Sequence, residues 1–437
     1  MYDVRSYKPS YPFDLIVEFA RDLEVGVGKM NEVGGDLVEA RVGRLPGIVL
    51  VRHPDLVKEV LVDRNADLTK ARGLRLARVI LGDGLLTSEV PVHTKQRKLI
   101  LPAFHHSRLQ SYGDTFVGRS VLEGDAWTEG ERFDVAASMN RLALAIAGET
   151  LFGTDVLSQA DAVSQAVHDA MAAFDAAQFP LADKLQWLPT HANRTSKRAR
   201  ASLDAVVYDM IEQRRHDLGD DLLSMLLEAR DEDTGDGMTD LEVRDEAMTL
   251  LLAGHETTAV ALAWTWALLA QHPEAEAALH HEVDALEGDP TFDDLRRLPV
   301  ARQTFAEAMR LYPPAWTVGR EAARDTTLGG HPVAKGTTVL FAPFHLHRDS
   351  RFWDEPEAFR PDRHVKGNGR HKFAYLPFSA GRRGCIGEQF AWSEATLVLA
   401  TLARRWRLVL EGDVPDTQGS VTLRPASPLW MRAERRV

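Results

Sequence analysis

The chain contains one cysteine, Cys385, among its 437 residues. A single thiol cannot form an intrachain disulfide, so this chain cannot be held together by a covalent cross-link. Zinc and iron–sulfur sites built from several thiolates are excluded for the same reason. With 44% hydrophobic residues, a chain of this length can instead bury a large apolar core.

Glycines, arginines and an aromatic residue surround the cysteine in the run from Phe378 to Gly387. The glycines allow tight turns, so backbone N–H groups can point at the sulfur. A helical pattern that starts at Glu388 would place a partial positive charge near Cys385, which favours the thiolate. A lone cysteine is most often an inert core residue. In this setting one thiolate can instead bind a haem iron.

This pattern resembles the haem-binding loop of the cytochrome P450 family of haem-thiolate monooxygenases. The matching residues are Phe378, Gly381, Arg383, Cys385 and Gly387. The resemblance implies that Cys385 binds the iron of haem b, with Phe378 and Gly387 beside the cofactor. It extends from about Ile48 to Arg424, and no linker or repeat divides the chain. Residues 1–437 are therefore expected to form a single cytochrome P450 domain.

The hydrophobic pattern predicts a mainly α protein with small β-sheets. Leu37–Val42 and Ile48–Val51 alternate as a strand pair does. Pro54–Leu61 reads as a helix with proline at its start. Helical patterns dominate to about Tyr312, and short strands such as Thr337–Phe341 follow. The resemblance implies the cytochrome P450 fold, in which the haem lies between a long central helix and a C-terminal cysteine loop and helix.

The segment Thr239–Gln271 is predicted to be this central helix. Thr239 and Glu242 have the spacing of a capping box, which marks a helix start. At 1.5 Å per residue the helix would extend roughly 45 Å. Gly254–Glu256 interrupts its apolar run and charges flank it, so a helix buried in a soluble core is favoured over a membrane span.

The interruption in the helix is the predicted site of oxygen activation. The Thr257 hydroxyl can donate to a carbonyl one turn earlier, which opens a groove in the helix. A buried Glu256 is costly unless it has a partner or a function. The resemblance implies that Ala253 lies beside the haem and that Glu256 and Thr257 relay protons during oxygen activation. A helix-kinking cluster without chemistry is the alternative.

Glu307 and Arg310 lie three residues apart in a helical stretch, so they project from one face. This spacing alone is common on surface helices. Here Arg363 follows in a proline-rich segment between that helix and the cysteine loop. The resemblance implies that the three residues form a buried charge network behind the haem.

Four basic residues are expected to bind the two haem propionates. His93 and Arg97 are four residues apart on a helix and share a face. Arg320 and Arg383 match further propionate-binding arginines of the family, which most often has Trp at the position of His93. Each residue alone would be read as a surface charge, but together they can neutralise two buried carboxylates.

The expected substrate is a lipophilic small molecule. By resemblance, its pocket is lined by Thr249, Ala253, Ala315, Trp316, Thr317 and Val318, and by the regions Arg72–Leu86 and Phe174–Phe179. These positions are mainly apolar, which favours a terpenoid, a carotenoid or a fatty acid. The predicted reaction is insertion of one oxygen atom of O2 by hydroxylation or epoxidation.

A separate electron donor is expected, because the chain shows no flavin or ferredoxin module. Electrons from NAD(P)H would then arrive through a ferredoxin or flavodoxin-type protein. Lys95, Lys98 and Arg382 could form a positive docking patch for it. Ordinary solvated charges explain these three residues equally well.

Other features argue against several classes of protein. The N-terminal segment lacks a long apolar stretch, which predicts a cytoplasmic protein without membrane anchor or signal peptide. A net charge of −12 with scattered basic residues argues against nucleic-acid binding. The acidic run Asp231–Gly237 does not have glycine at the position that a calcium loop requires.

Three other functions are the alternatives. A peroxide-driven haem-thiolate peroxygenase would be expected to replace Glu256 and Thr257 with a cation that binds a fatty-acid carboxylate. A non-catalytic haem sensor would not need a proton relay and would usually carry an output domain. A cysteine hydrolase would need an orienting histidine and an exposed thiol.

Overall fold

The computed structural model describes residues 1–8, 19, 22–41, 47–154, 190–230, 235–365 and 369–436. Helices predominate in it, which confirms the mainly α prediction. They are α1 (Leu23–Glu32), α2 (Pro54–Lys58), α3 (Arg72–Leu81), α4 (Val92–Ile100), α5 (His106–Asp125), α6 (Val135–Phe152), α7 (His191–His216), α8 (Leu222–Glu228), α9 (Asp240–Gln271), α10 (Pro273–Asp284), α11 (Pro299–Leu311), α12 (Pro343–Leu346) and α13 (Glu388–Arg405).

The strands of the described residues are β1 (Val4–Ser6), β2 (Leu37–Ala40), β3 (Ile48–Val51), β4 (Leu68–Lys70), β5 (Arg132–Asp134), β6 (Val318–Ala322), β7 (Thr326–Leu328), β8 (His331–Val333), β9 (Thr338–Phe341), β10 (Trp406–Leu410), β11 (Thr417–Gly419), β12 (Leu423–Pro425) and β13 (Trp430–Arg435). They form one six-stranded sheet, in the order β1-β2-β3-β9-β6-β4, and three smaller sheets. In the antiparallel pair β4–β6, Lys70 lies opposite Arg320, so two basic side chains project from the same face.

The predicted strand pair is confirmed, since β2 and β3 are antiparallel with Leu37 opposite Val51. Their side chains alternate between two apolar clusters on the two faces of the sheet. Leu37 and Val51 belong to one cluster, and Val38 and Leu50 to the other. A third and much larger apolar cluster fills the space between the long helices.

The helix predicted over Pro54–Leu61 ends earlier, at Lys58, and a π-helical turn over Glu59–Asp63 follows it. The Arg64 N–H closes this turn by donating to the Glu59 carbonyl at 2.7 Å. The apolar pattern could not distinguish the two geometries, because Leu61 is buried in either case.

The predicted central helix is confirmed as α9, which contains 32 residues and extends about 48 Å. Its capping box is formed: Glu242 N–H donates to Thr239 Oγ1 at 3.3 Å, and Thr239 N–H donates to Glu242 Oε2 at 2.7 Å. The helix packs along α6 and α11. Among the described residues, no helix has both the length and the apolar character needed to cross a bilayer.

Glu307 on α11 is 0% exposed and is the centre of a buried hydrogen-bond network. Its Oε1 accepts from Arg310 Nη2 and Arg363 Nε, both at 2.8 Å, and from the Arg360 N–H at 2.9 Å. Its Oε2 accepts from Arg310 Nε at 2.9 Å and lies 2.7 Å from His364 Nε2. Burial alone would raise the pKa of Glu307, but the hydrogen bonds from His364 and Arg310 outweigh it and lower the pKa to about 2.

Arg310 also connects α11 to the chain that leads to the cysteine loop. Its Nη1 donates to the carbonyls of His347 and Pro356 at 2.8 and 2.6 Å, and its Nη2 donates to the Ala358 carbonyl at 2.9 Å. Burial lowers the pKa of His347 well below its ordinary value. The neutral ring then accepts from the Leu376 N–H at 2.9 Å, which fixes the start of the cysteine loop.

A second buried carboxyl, Glu394, connects α13 to α9. The Thr258 hydroxyl on α9 donates a hydrogen bond to it, but burial is the larger influence and raises the pKa of Glu394 to about 8. Glu394 is therefore predominantly protonated at neutral pH. The two helices are joined by a neutral hydrogen bond.

Replacing Glu307 with alanine should lower the free energy of unfolding by about 3–5 kcal/mol, because Arg310 then stays buried without its carboxylate. Urea unfolding of the purified protein measures this loss.

The pKa of Glu307 in the folded protein lies below the ordinary value of 4.5. The contribution of Glu307 to the free energy of unfolding of the wild-type protein should therefore be lost as the pH falls from 4.5 toward 2. The control is Glu434→Ala, which removes an exposed partner of Arg407. Equal stability of the two variants would contradict the prediction.

Replacing Glu394 with glutamine should stabilise the protein increasingly as the pH rises from about 5 to 8. The folded wild-type chain keeps the Glu394 proton up to about pH 8, whereas the unfolded chain releases it near 4.5. Folding of the wild type is therefore disfavoured by up to about 1.4 kcal/mol per pH unit in this interval. Glutamine still accepts from Thr258 but does not titrate. A stability difference that is constant across this pH range would rule out a protonated Glu394.

Candidate active site

Cys385 lies in the loop just before α13, three residues ahead of the first helical residue. The Cys385 N–H donates to the Phe378 carbonyl at 2.9 Å, which closes the loop. The Gly387 N–H donates to the Cys385 sulfur. The sulfur therefore accepts a hydrogen bond from the Gly387 N–H near the positive end of the α13 dipole.

Gly381 determines how closely this loop approaches the rest of the protein. Its φ angle is +73°, a left-handed conformation that side chains other than glycine rarely adopt. A Cβ on Gly381 would also clash with the Leu61 carbonyl in the π-helical turn. The glycine thus allows the cysteine loop to pack directly against Glu59–Asp63.

The Cys385 residue has accessible surface, although protein atoms surround it on most sides. Its thiol therefore borders a space inside the protein. Burial raises the pKa of this thiol to about 11, although the Gly387 N–H and the charge of Arg97 act in the opposite direction. Without a cation beside it, the group stays protonated at neutral pH. A metal cation in the adjoining space would stabilise the thiolate by direct attraction, so the chemistry of this position suits a metal ligand.

The hydrogen bond predicted for Thr257 is present, but α9 is unbroken through Ala253–Thr257, so the helix itself is not opened and the groove is the open space beside these residues. The Thr257 hydroxyl donates to the Ala253 carbonyl at 2.9 Å. Ala253 is exposed in the middle of a helix whose other positions are mostly buried, so an open space adjoins the helix here. Glu256 is 8% exposed, and its Oε1 accepts from the Thr422 hydroxyl at 2.7 Å.

The four basic residues expected at the cofactor carboxylates lie close together, and all of them except the half-buried Arg97 are mostly buried. With Lys70 they form what we call the cationic cluster, which consists of Lys70, His93, Arg97, Arg320 and Arg383. The structure brings all four predicted residues together and adds Lys70 to them. Glu89 is the carboxylate that faces this cluster: it forms an ion pair with Arg383 and accepts from the Lys70 N–H at 2.6 Å.

The cationic cluster has more positive charge than Glu89 can neutralise. Burial, with the neighbouring charge of Arg383, lowers the pKa of Lys70 to about 7 and that of Arg320 to about 10. Burial also lowers the pKa of His93 to about 4, so its ring is neutral. In the described part of the chain, Arg320 Nε and Arg383 Nε have no hydrogen-bond partner. These orphaned donors and the excess charge fit a ligand with two carboxylates.

The loop that follows α3 covers α9 beside this cluster. Leu85 is held from both sides, since Lys70 Nζ donates to its carbonyl at 2.8 Å and its N–H donates to Glu246 Oε2 at 2.9 Å. Burial raises the pKa of Glu246 to about 8, so this carboxyl is mostly neutral at pH 7. A Cβ on Gly84 would clash with Thr249 Oγ1, so the loop packs directly on the helix.

The proposed pocket residues lie at different depths. Ala315 is exposed, and Thr317 and Val318 are half-buried. Thr249 is buried beneath the loop that follows α3. Trp316 is 1% exposed, and its indole N–H donates to the Ser420 carbonyl at 2.9 Å. It therefore packs in the apolar core behind Ala315–Val318, the segment we call the proposed pocket wall, and does not line an open space. The Phe174–Phe179 region lies outside the described residues.

Sequence reasoning did not identify several residues that the structure places at the site. The sequence pattern could have indicated that Lys70 is buried. It lies two residues after Leu68 in a strand, so the two side chains share the buried face. Glu394 likewise lies four residues after the buried Phe390 on α13. His347 and Thr422 had no such signal, since their partners are far away in the sequence.

A family model described as Cytochrome P450 matches residues 16–431 of the chain. The chain is also 40% identical to cyclooctatin synthase of Streptomyces melanosporofaciens, with 92% of this chain and 89% of that one covered. It is 38% identical to cyclooctat-9-en-7-ol 5-monooxygenase of the same organism, covering 86% and 83% of the two chains.

Pentalenene oxygenase of Streptomyces avermitilis is a third relative, 36% identical over 87% of this chain and 85% of that one. The family match over residues 16–431 includes both α9 and the cysteine loop. The protein therefore belongs to the cytochrome P450 family and is a haem-dependent monooxygenase.

Proposed function

We propose that this cytochrome P450 inserts one oxygen atom of O2 into a cyclic terpenoid-like hydrocarbon or its alcohol. The observation that carries the proposal is the identity of 36–40% to three enzymes whose names refer to cyclooctatin, a cyclooctatenol and pentalenene. Ala315 and Val318 are consistent with it, since the first is exposed, the second is half-buried, and both are apolar.

Cys385 is the proposed ligand of the haem iron, with Phe378, Gly387 and Ala253 beside the cofactor. The Gly387 hydrogen bond moderates the electron donation of the sulfur without removing it. When bound, thiolate-ligated haem b supplies the reductive activation of O2 and cleavage of the O–O bond.

The cationic cluster is the proposed site of the two haem propionates. Arg320 and Arg383 supply the donors that lack partners, and neutral His93 supplies a ring N–H. Arg97 Nη1 donates to the Gly384 carbonyl at 2.8 Å, so this residue joins the propionate site to the cysteine loop. Behind the haem, Glu307, Arg310 and Arg363 have a structural role rather than a chemical one.

Thr257 and Glu256 are the proposed proton relay. The Thr257 hydroxyl hydrogen is directed at the Ala253 carbonyl, so the lone pairs of its oxygen can accept from a water in the groove. Glu256, the next residue along α9, is buried and can hold or release a proton there. The presence of both residues favours an O2-dependent reaction over a peroxide-driven one.

The electrons are proposed to come from NAD(P)H through a separate ferredoxin or flavodoxin-type protein in the cytoplasm. Lys98 and Arg382 are exposed and Lys95 is half-exposed, as a docking patch requires. An acidic partner would be attracted to this surface, and the attraction would weaken with salt.

Cyclic terpenes should shift the spin state of the purified haem protein and should be converted to products heavier by one oxygen atom. Optical titration and mass spectrometry measure the two effects. The control is a straight-chain fatty acid with the same number of carbon atoms, which should bind more weakly. Tighter binding and faster turnover of the fatty acid would overturn the proposed substrate class.

In the same preparation, the reduced carbonyl complex should show a red-shifted Soret band that Cys385→His abolishes.

Replacing Thr257 with alanine should reduce the product formed per NAD(P)H by about tenfold or more and increase peroxide release, because the hydroxyl that positions the proton-delivering water is lost. Thr265→Ala is the matched control, since the Thr265 hydroxyl also donates one turn back on α9, to the Ala261 carbonyl at 2.7 Å, without adjoining the groove. Full coupling in Thr257→Ala would reject the relay.

A further inference from the structure

Glu256 is held by a residue from the far end of the chain. Thr422 Oγ1 donates to Glu256 Oε1 at 2.7 Å, across 166 positions of sequence. Thr422 is 4% exposed, so the hydrogen bond is shielded from solvent. A buried hydrogen bond to a carboxyl group restricts a side chain that would otherwise rotate about three bonds.

The turn that carries Thr422 is itself rigidly supported. It joins β11 to β12, and two buried indoles bind it: Trp264 Nε1 donates to the Leu423 carbonyl at 2.8 Å, and Trp316 Nε1 donates to the Ser420 carbonyl at 2.9 Å. The Leu423 N–H in turn donates to the Pro314 carbonyl at 3.1 Å. Thr422 is therefore placed by α9 and by the segment that leads to the proposed pocket wall.

We propose that Thr422 is a positioning residue for proton delivery, whose hydroxyl fixes the orientation of the Glu256 carboxyl group on the helical turn that carries Thr257. This rests on the proposed relay function of Glu256. Without the hydroxyl, the carboxyl group can adopt other rotamers, proton delivery becomes less efficient, and reduced oxygen is released as peroxide rather than inserted into substrate. Because the turn also supports Pro314 and Trp316, the relay and the wall at Ala315–Val318 share one scaffold.

The test is Thr422→Val, which removes the hydroxyl and keeps the volume of the side chain. Product per NAD(P)H should fall roughly threefold to tenfold, as expected when one positioning hydrogen bond is lost. Peroxide should rise, and the solvent isotope effect on product formation should increase. Haem content and the spectrum of the reduced carbonyl complex should stay unchanged. Thr422→Ser restores the donor and should restore coupling.

Thr265→Val is the matched control, because it makes the same substitution at a buried threonine of α9 whose hydroxyl, among the described residues, bonds only to the Ala261 carbonyl of its own helix. An equal loss of coupling in Thr265→Val and Thr422→Val would overturn the proposal, as would full coupling in Thr422→Val. Should Thr422→Val fail to retain haem, Thr422→Ala compared with Thr422→Ser answers the same question.

Glu256→Gln, measured in parallel, separates this inference from the proposed function. Normal coupling in Glu256→Gln would reject the relay itself. Loss of coupling in Glu256→Gln with normal coupling in Thr422→Val would leave the relay in place and reject the positioning function of Thr422.

Discussion

The buried pairing of Glu307 with Arg310 is the interaction on which the geometry of the site most depends. Arg310 binds the carboxylate with one side of its guanidinium and three backbone carbonyls with the other. One of those carbonyls belongs to His347, whose ring binds the Leu376 N–H at the start of the cysteine loop. The position of the loop that carries Cys385 is thus fixed relative to α11 by a series of hydrogen bonds.

The buried charges of this protein are distributed unevenly. The cationic cluster has an excess of positive charge, whereas Glu246 and Glu394 have pKa values raised to about 8 by burial and are mostly neutral at pH 7. Both states follow from the cost of burying an isolated charge. A carboxyl group can accept a proton and become neutral, but an arginine cannot lose one as easily. The arginines therefore favour an anionic ligand at this position.

Local patterns accounted for much of the fold and part of the site. The capping box at Thr239 and the alternation of Leu37 and Val38 are local, so α9 and the β2–β3 pair followed directly from the sequence. The π-helical turn after Lys58 was missed because periodicity alone does not report an extra residue in a turn. The turn makes a tertiary contact, since the Leu61 carbonyl lies against Gly381.

The sequence by itself determined the family, the lone thiol and its glycine-rich loop, and the acid–threonine pair in a long buried helix. Each of these is a pattern of neighbouring residues, readable without coordinates. The tertiary structure decided that Lys70 joins Arg320, that His347 connects Arg310 to the cysteine loop, and that Thr422 holds Glu256. These contacts join residues that are tens to hundreds of positions apart, and only packing of the whole chain determines which distant donors and acceptors meet.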